Sequence, residues 1–189
     1  MAIRSEAQAL PGILPGKVGM WWFLASEIVM FGGLIASYIV FRIGAGGWLD
    51  ERAHTNLLIG TINTLILLTS SMTMVQAFAA GQRGDRPGVR RHLGWTILQG
   101  LLFLVIKGIE YSKELALGFT PATAPFWSFY YGMTGLHALH VLAGVVVNAT
   151  LFVQARKGLE HHHRVELGGL YWHFVDIVWI FLFPLIYIS

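Results

Sequence analysis

The chain has 189 residues, of which 55% are hydrophobic and 12% charged, with a mean hydropathy of +0.61. Soluble domains carry roughly 25% charged residues, so half that share, together with 7 Trp and 12 Phe, excludes an ordinary soluble domain and points to an integral membrane protein. A formal net charge of +3 is too small for a nucleic-acid surface, so no nucleic-acid partner is expected, and a cysteine count of 0 excludes thiolate metal sites, disulfides and cysteine nucleophiles.

Residues 1–16 hold Pro11 and Pro15 and lack the apolar run of a signal peptide, so they read as an N-terminal tail. Behind the tail, five stretches meet the length criterion of roughly 20 mainly apolar residues for a transmembrane helix. They are residues 18–41, 57–80, 93–115, 126–153 and 167–188. The expected fold is all-α, a polytopic membrane helix bundle forming a single domain over 1–189. No Asp, Glu, Lys or Arg stands between Arg52 and Arg83, or between Glu114 and Arg156. The third stretch is the weakest, because Lys107 and Glu110 interrupt it. Asp85-Arg86-Pro87-Gly88 predicts a tight turn between the second and third helices. Pro121 and Pro125 bracket the entry to the fourth. Small residues recur within the spans, at Gly32-Gly33, Ala36, Ser37, Gly132, Gly135 and Gly144, and permit close helix approach.

The loops suggest an orientation. Arg4, Lys17, Arg83, Arg86, Arg90, Arg91, Arg156, Lys157 and Arg164 fall on one side, and only Arg42, Arg52 and Lys113 on the other. The positive-inside rule then puts the N-terminus in the cytoplasm and the C-terminus in the periplasm of a bacterial inner membrane.

The residues that invite explanation are the polar ones inside the spans. Glu27 lies ten residues after Lys17, so roughly 15 Å up a helix and near the bilayer centre. His137 and His140 enter from the other side and reach a similar depth. His173 and Asp176 share one face of the last helix, whose only formal charge after Glu166 is Asp176. Ionisable groups in hydrocarbon are expensive, so these faces are expected to pack against protein as a buried polar network. Lys107 and Glu110, one turn apart, can pair. Packing alone accounts for each of these groups; a proton relay through Glu27, or a metal held by His137 and His140, are the sharper alternatives. His161, His162 and His163 sit beside Arg156 and Lys157 in the last loop. They read as a solvated loop or as proton-collecting groups, since histidine titrates near neutral pH. Arg156 is a candidate for a lipid phosphate.

A family resemblance is carried by several blocks. Tyr171-Trp172-His173-Phe174-Val175-Asp176-Ile177-Val178-Trp179 resembles the YWHFVDxVW block of haem–copper oxidase subunit III, the cytochrome c oxidase subunit III family. Lys17-Val18-Gly19-Met20 with Ala25-Ser26-Glu27, Asn63-Thr64 with Ser70-Ser71, Ile109-Glu110-Tyr111, and Gly135-Leu136-His137-Ala138-Leu139-His140-Val141 resemble further family segments. They occur in order over roughly residues 17–188. The chain is similar to a short five-helix bacterial form, in which the two extra helices of longer members are absent or supplied by another subunit.

The resemblance implies an accessory, non-catalytic subunit of a proton-pumping terminal oxidase, fed by cytochrome c or by quinol, in aerobic respiration. Such a subunit carries no cofactor of its own, the haem and copper residing in partner subunits. It packs on subunit I, neighbours subunit II, with subunit IV and a respiratory supercomplex as further candidate partners, holds structural phospholipid, and supports proton uptake. By position, Glu27 is the family's buried helix carboxyl, with His140 its expected partner, and Arg156 and His161 are candidate head-group contacts. Two alternatives stand beside this reading. One is a subunit-III-like accessory protein of nitric oxide reductase. The other is an independent proton or ion transporter using Glu27, His137, His140 and Asp176, although no matching pair of broken helices stands out.

Overall fold

The structure is a computed structural model that describes residues 15–48, 54–158 and 162–188. Five helices are long and apolar enough to cross a membrane. They are α1 (Pro15–Gly44), α2 (Leu57–Gln82), α3 (Arg86–Ala116), α4 (Pro125–Arg156) and α5 (His162–Phe183), the last continued by a π-helical turn over Pro184–Ile188. The first four each contain one of the predicted stretches, the fifth stretch runs from α5 through the π turn, and α3 starts two turns earlier than its apolar core. The stretch 1–14 of the predicted tail lies outside the described residues, and α1 already begins at Pro15.

Local chemistry sets the helix ends. The Asn56 side chain accepts a hydrogen bond from the Ile59 amide at 3.1 Å and caps α2. At the other end, Gly84 takes φ +69°, the left-handed conformation that glycine adopts without a Cβ penalty. The reversal between α2 and α3 therefore falls at Arg83-Gly84. The turn predicted at Asp85-Arg86-Pro87-Gly88 is instead the start of α3: Asp85 Oδ1 accepts from the Gly88 amide at 3.0 Å. Pro87 occupies the first turn, where its missing N–H leaves nothing unpaired. Aspartate and proline serve turns and helix starts alike, which is why the sequence pattern placed the turn too late.

At the far end, Pro184 also lacks an N–H, and the regular bonding of α5 gives way to the wider π turn. That turn carries the buried Tyr187 inward.

The bundle is organised around α5. Helices α2 and α4 pack against both α3 and α5, and α1 lies along α5 and α4. Of the five, α5 is the most enclosed and α1 the least. Trp172 of α5 is fully buried and drives between two glycines. A Cβ on Gly100 of α3 would stand 2.7 Å from its ring, and one on Gly144 of α4 only 2.6 Å. Trp172 donates its indole N–H to Ser70 Oγ at 3.0 Å, and Trp179 donates to Thr64 Oγ1 at 3.0 Å, so both tie α5 to α2. Helices α2 and α3 are joined by the side chains of Thr73, Thr96, Gln99 and Thr69, with Gln99 Nε2 donating to Thr69 Oγ1 at 3.0 Å. In lipid there is little hydrophobic drive between helices, so tight packing at small residues and such interhelical bonds carry the association.

Candidate functional site

Two acid–base pairs and two further buried acids, Asp176 and Glu114, occupy the spanning helices of the bundle. The first pair joins α1 to α4: His140 Nε2 and Glu27 Oε2 are 3.0 Å apart, with about 15% and 14% of the side chains exposed. The other ring nitrogen, Nδ1, lies 2.8 Å from the Leu136 carbonyl. A carbonyl only accepts, so Nδ1 carries a proton. The Nε2–Oε2 contact then holds a single further proton, either as carboxylic acid on imidazole or as carboxylate on imidazolium. Both forms are neutral overall, which suits the depth. Phe31 meets the imidazole edge-on at 5.1 Å, and the Tyr171 hydroxyl donates to the His140 carbonyl at 3.0 Å.

The second pair lies on α3. Lys107 Nζ donates to Glu110 Oε2 at 2.9 Å, with side chains 2% and 1% exposed. Its ammonium also donates to Tyr187 Oη at 2.8 Å and Tyr130 Oη at 3.3 Å, while Tyr187 Oη donates to Glu110 Oε1 at 2.7 Å. The same ammonium stands 4.8 Å from the Tyr130 ring centre and 5.5 Å from that of Trp179. This cage of aromatic faces and phenol oxygens lets an otherwise prohibitive pair sit in the interior. One turn further along α3, Glu114 is also buried, and its Oε2 makes no hydrogen bond.

The remaining sequence candidates fall into place unevenly. His137 and His140 do not converge. His140 turns to α1, whereas His137 points into the core between Phe103 and Trp179, at ring distances of 5.6 and 5.0 Å, and neither of its nitrogens is hydrogen-bonded. Positions three apart on a helix differ by roughly 60° in direction, enough to send the two rings to different neighbours. His173 and Asp176 do not bond each other. His173 Nδ1 meets Ser71 Oγ of α2 at 2.7 Å, and the Asp176 carboxyl, 4% exposed, makes no hydrogen bond. Arg156 is exposed in the last turn of α4. His161 lies outside the described residues, as does the side chain of His162. His163 Nδ1 is 3.3 Å from Glu166 Oε2, and Glu166 Oε1 is 2.6 Å from Lys17 Nζ, which ties the start of α5 to that of α1. Among the described residues, no group of three or more His, Asp or Glu is placed to hold a metal ion.

Sequence reasoning missed Tyr130, Tyr187 and Ser71 as partners of the charged groups. The phenols look like ordinary interfacial aromatics. The available signal for Tyr187 was Pro184, which disturbs the last turn.

A chain of five spans, with acids and bases held across helix contacts, is an integral membrane subunit of the multi-pass class. The family profile for "Cytochrome c oxidase subunit III" matches residues 12–189. "Cytochrome c oxidase subunit 3" of Thermostichus vulcanus is 37% identical over 175 residues, spanning 90% of this chain and 86% of the relative. The protein of the same name from Corynebacterium diphtheriae is 38% identical over 90% of this chain and 86% of its own length. A "Probable cytochrome c oxidase subunit 3" of Mycobacterium tuberculosis is 36% identical over 98% and 94%. The chain belongs to the cytochrome c oxidase subunit III family. It is therefore an oxidase subunit III, a multi-pass protein of the bacterial inner membrane that associates with other oxidase subunits and is by family a cofactor-free accessory component.

Proposed function

We propose that the chain stabilises subunit I of a proton-pumping oxidase that takes electrons from cytochrome c, binds phospholipid at its surface, and supports proton uptake on the cytoplasmic side, where its N-terminus lies. The observation that carries this reading is the engagement of the buried acid–base groups with one another, Glu27 with His140 and Lys107 with Glu110. Glu27–His140 braces α1 against α4, and Lys107–Glu110 anchors Tyr130 of α4 and Tyr187 of the π turn. The exposed apolar face of α1, including Trp21, Trp22, Val29 and Val40, supports a role as a wall for lipid or neighbouring subunits. Arg156, exposed at the end of α4, supplies a cation for a lipid phosphate. Subunits I and II are the expected neighbours, with subunit IV and a supercomplex as further candidates.

The test is a Glu27→Ala oxidase compared with wild type. The expected result is normal oxygen reduction at first turnover and a shortened catalytic lifetime. An enzyme that keeps its haems but is inactive from the first turnover overturns the supporting role.

A further inference from the structure

The side of α5 that looks toward α2 carries three polar groups, of which Glu166 is already paired with Lys17 and His163. Glu166 lies at its start, His173 two turns on, and Asp176 a turn beyond, roughly 15 Å from Glu166 along the axis. Between α2 and α5 a pocket of about 220 Å³ has Glu166 and His173 in its wall, with Met74, Phe78 and Gly169. The wall is mostly apolar, Val75 and Leu170 completing it, so its polar end at Glu166 and His173 is the place for water, which needs about 30 Å³ per molecule. Gly169 lines the pocket without a side chain, and a Cβ there would make an ordinary contact with Met74 at 3.5 Å. At its inner end His173 Nδ1 meets Ser71 Oγ at 2.7 Å. Ser71 also faces the Asp176 carboxyl from α2, but no hydrogen bond of ordinary geometry joins them.

Asp176 is one of several buried titratable groups without a hydrogen-bond partner, the others being His137 of α4 and one carboxyl oxygen of Glu114 on α3. The remaining titratable groups are engaged, Glu27 of α1 with His140 of α4, and Lys107 with Glu110 of α3. His137 of α4 packs against Trp179. None of them hydrogen-bonds Asp176, which is 4% exposed. A carboxyl held so deep without a fixed partner is expensive. It is nevertheless one serine away from an imidazole that borders a pocket.

We propose that Asp176 is a proton-binding site filled from the membrane face that carries Lys17, by way of Glu166, pocket water, His173 and Ser71. The inference deepens the proton-supply part of the function proposed above and rests on it. In the tautomer that carries its proton on Nδ1, His173 donates to Ser71 Oγ. A hydronium in the pocket gives a proton to His173 Nε2, the Nδ1 proton passes to Ser71 Oγ, and the hydroxyl, rotated toward Asp176, passes its own proton to the carboxylate. One N–H and two O–H bonds form as one N–H and two O–H bonds break, water is returned to the pocket, and no electrons move. Release runs the same steps backwards and restores the first tautomer.

The experiment is isotope-edited infrared spectroscopy of the intact oxidase, with ¹³C-labelled aspartate, after a pH jump. Expected are an aspartic-acid C=O band that follows pH and is absent from Asp176→Asn, and a slowing of its response by at least about 10-fold in His173→Gln or Ser71→Ala. An Asp176 band indifferent to pH, or one that responds at wild-type speed in both route variants, overturns the site. If Asp176→Asn does not assemble, the two route variants still decide through the rate. Proton uptake by the whole oxidase, measured on the same preparations, separates the two readings. Uptake unchanged in Asp176→Asn alongside a titrating wild-type band would defeat the supply role and leave the proton site standing.

Discussion

Glu27–His140 and Lys107–Glu110 solve one problem in opposite ways. The first pair spans two helices, sits at the edge of the bundle with about 14–15% exposure, and holds a single proton between its partners. The second lies on one helix, is 1–2% exposed, and is wrapped by phenols from α4 and the π turn. A neutral, proton-sharing pair tolerates lipid at its flank. A full ion pair needs every remaining hydrogen-bonding position filled by protein. The lesson is that burial alone does not rank such sites; the number of supporting partners does.

The sharpest way to break the comparison is Lys107→Met. It strands Glu110 in the interior and should cost about 3–5 kcal/mol, read as a lowered midpoint in detergent unfolding, whereas Lys107→Met with Glu110→Leu should recover most of it. Recovery absent from the double variant would mean that the cage does more than neutralise charge. Next, Tyr187→Phe removes a hydrogen bond to each charged partner and should cost about 1.5–3 kcal/mol in the same assay, with α1 contacts unaffected. Glu27→Gln keeps shape and neutrality at the edge pair and should cost about 0.5–1.5 kcal/mol; a loss as large as that of Lys107→Met would show that the pair stands as carboxylate on imidazolium rather than as carboxylic acid on imidazole. The smallest effect is expected at the rim, where Lys17→Ala should change stability by less than about 1 kcal/mol and only at low salt.

Much of this was legible from residues alone. Apolar length gave the five spans, and turn spacing paired Lys107 with Glu110. Depth reasoning set Glu27 level with the α4 histidines, and the family resemblance singled out His140. What stayed hidden depended on side-chain direction. His137 and His140 share a helix face within a turn, yet a rotation of about 60° sends one to the core and the other to α1. His173 and Asp176 are spaced to meet, but a hydroxyl from α2 intercepts the histidine. Periodicity says which residues are neighbours on one helix and nothing of which atom a second helix delivers. The glycines behaved likewise: Gly144 read as permission for close approach, and only the position of Trp172 shows what approaches.

The phenols around Lys107 come from later stretches of the chain, Tyr130 from α4 and Tyr187 from the turn after α5. During synthesis α3 enters the bilayer while those partners are still unmade. Lys107 and Glu110 can neutralise each other at once, being one turn apart, but their leftover donors and acceptors must wait for the fifth span. The enclosure is therefore complete only once the fifth span and its π turn are in place, which makes the last residues of the helix the closing piece of an interior that opens with the third.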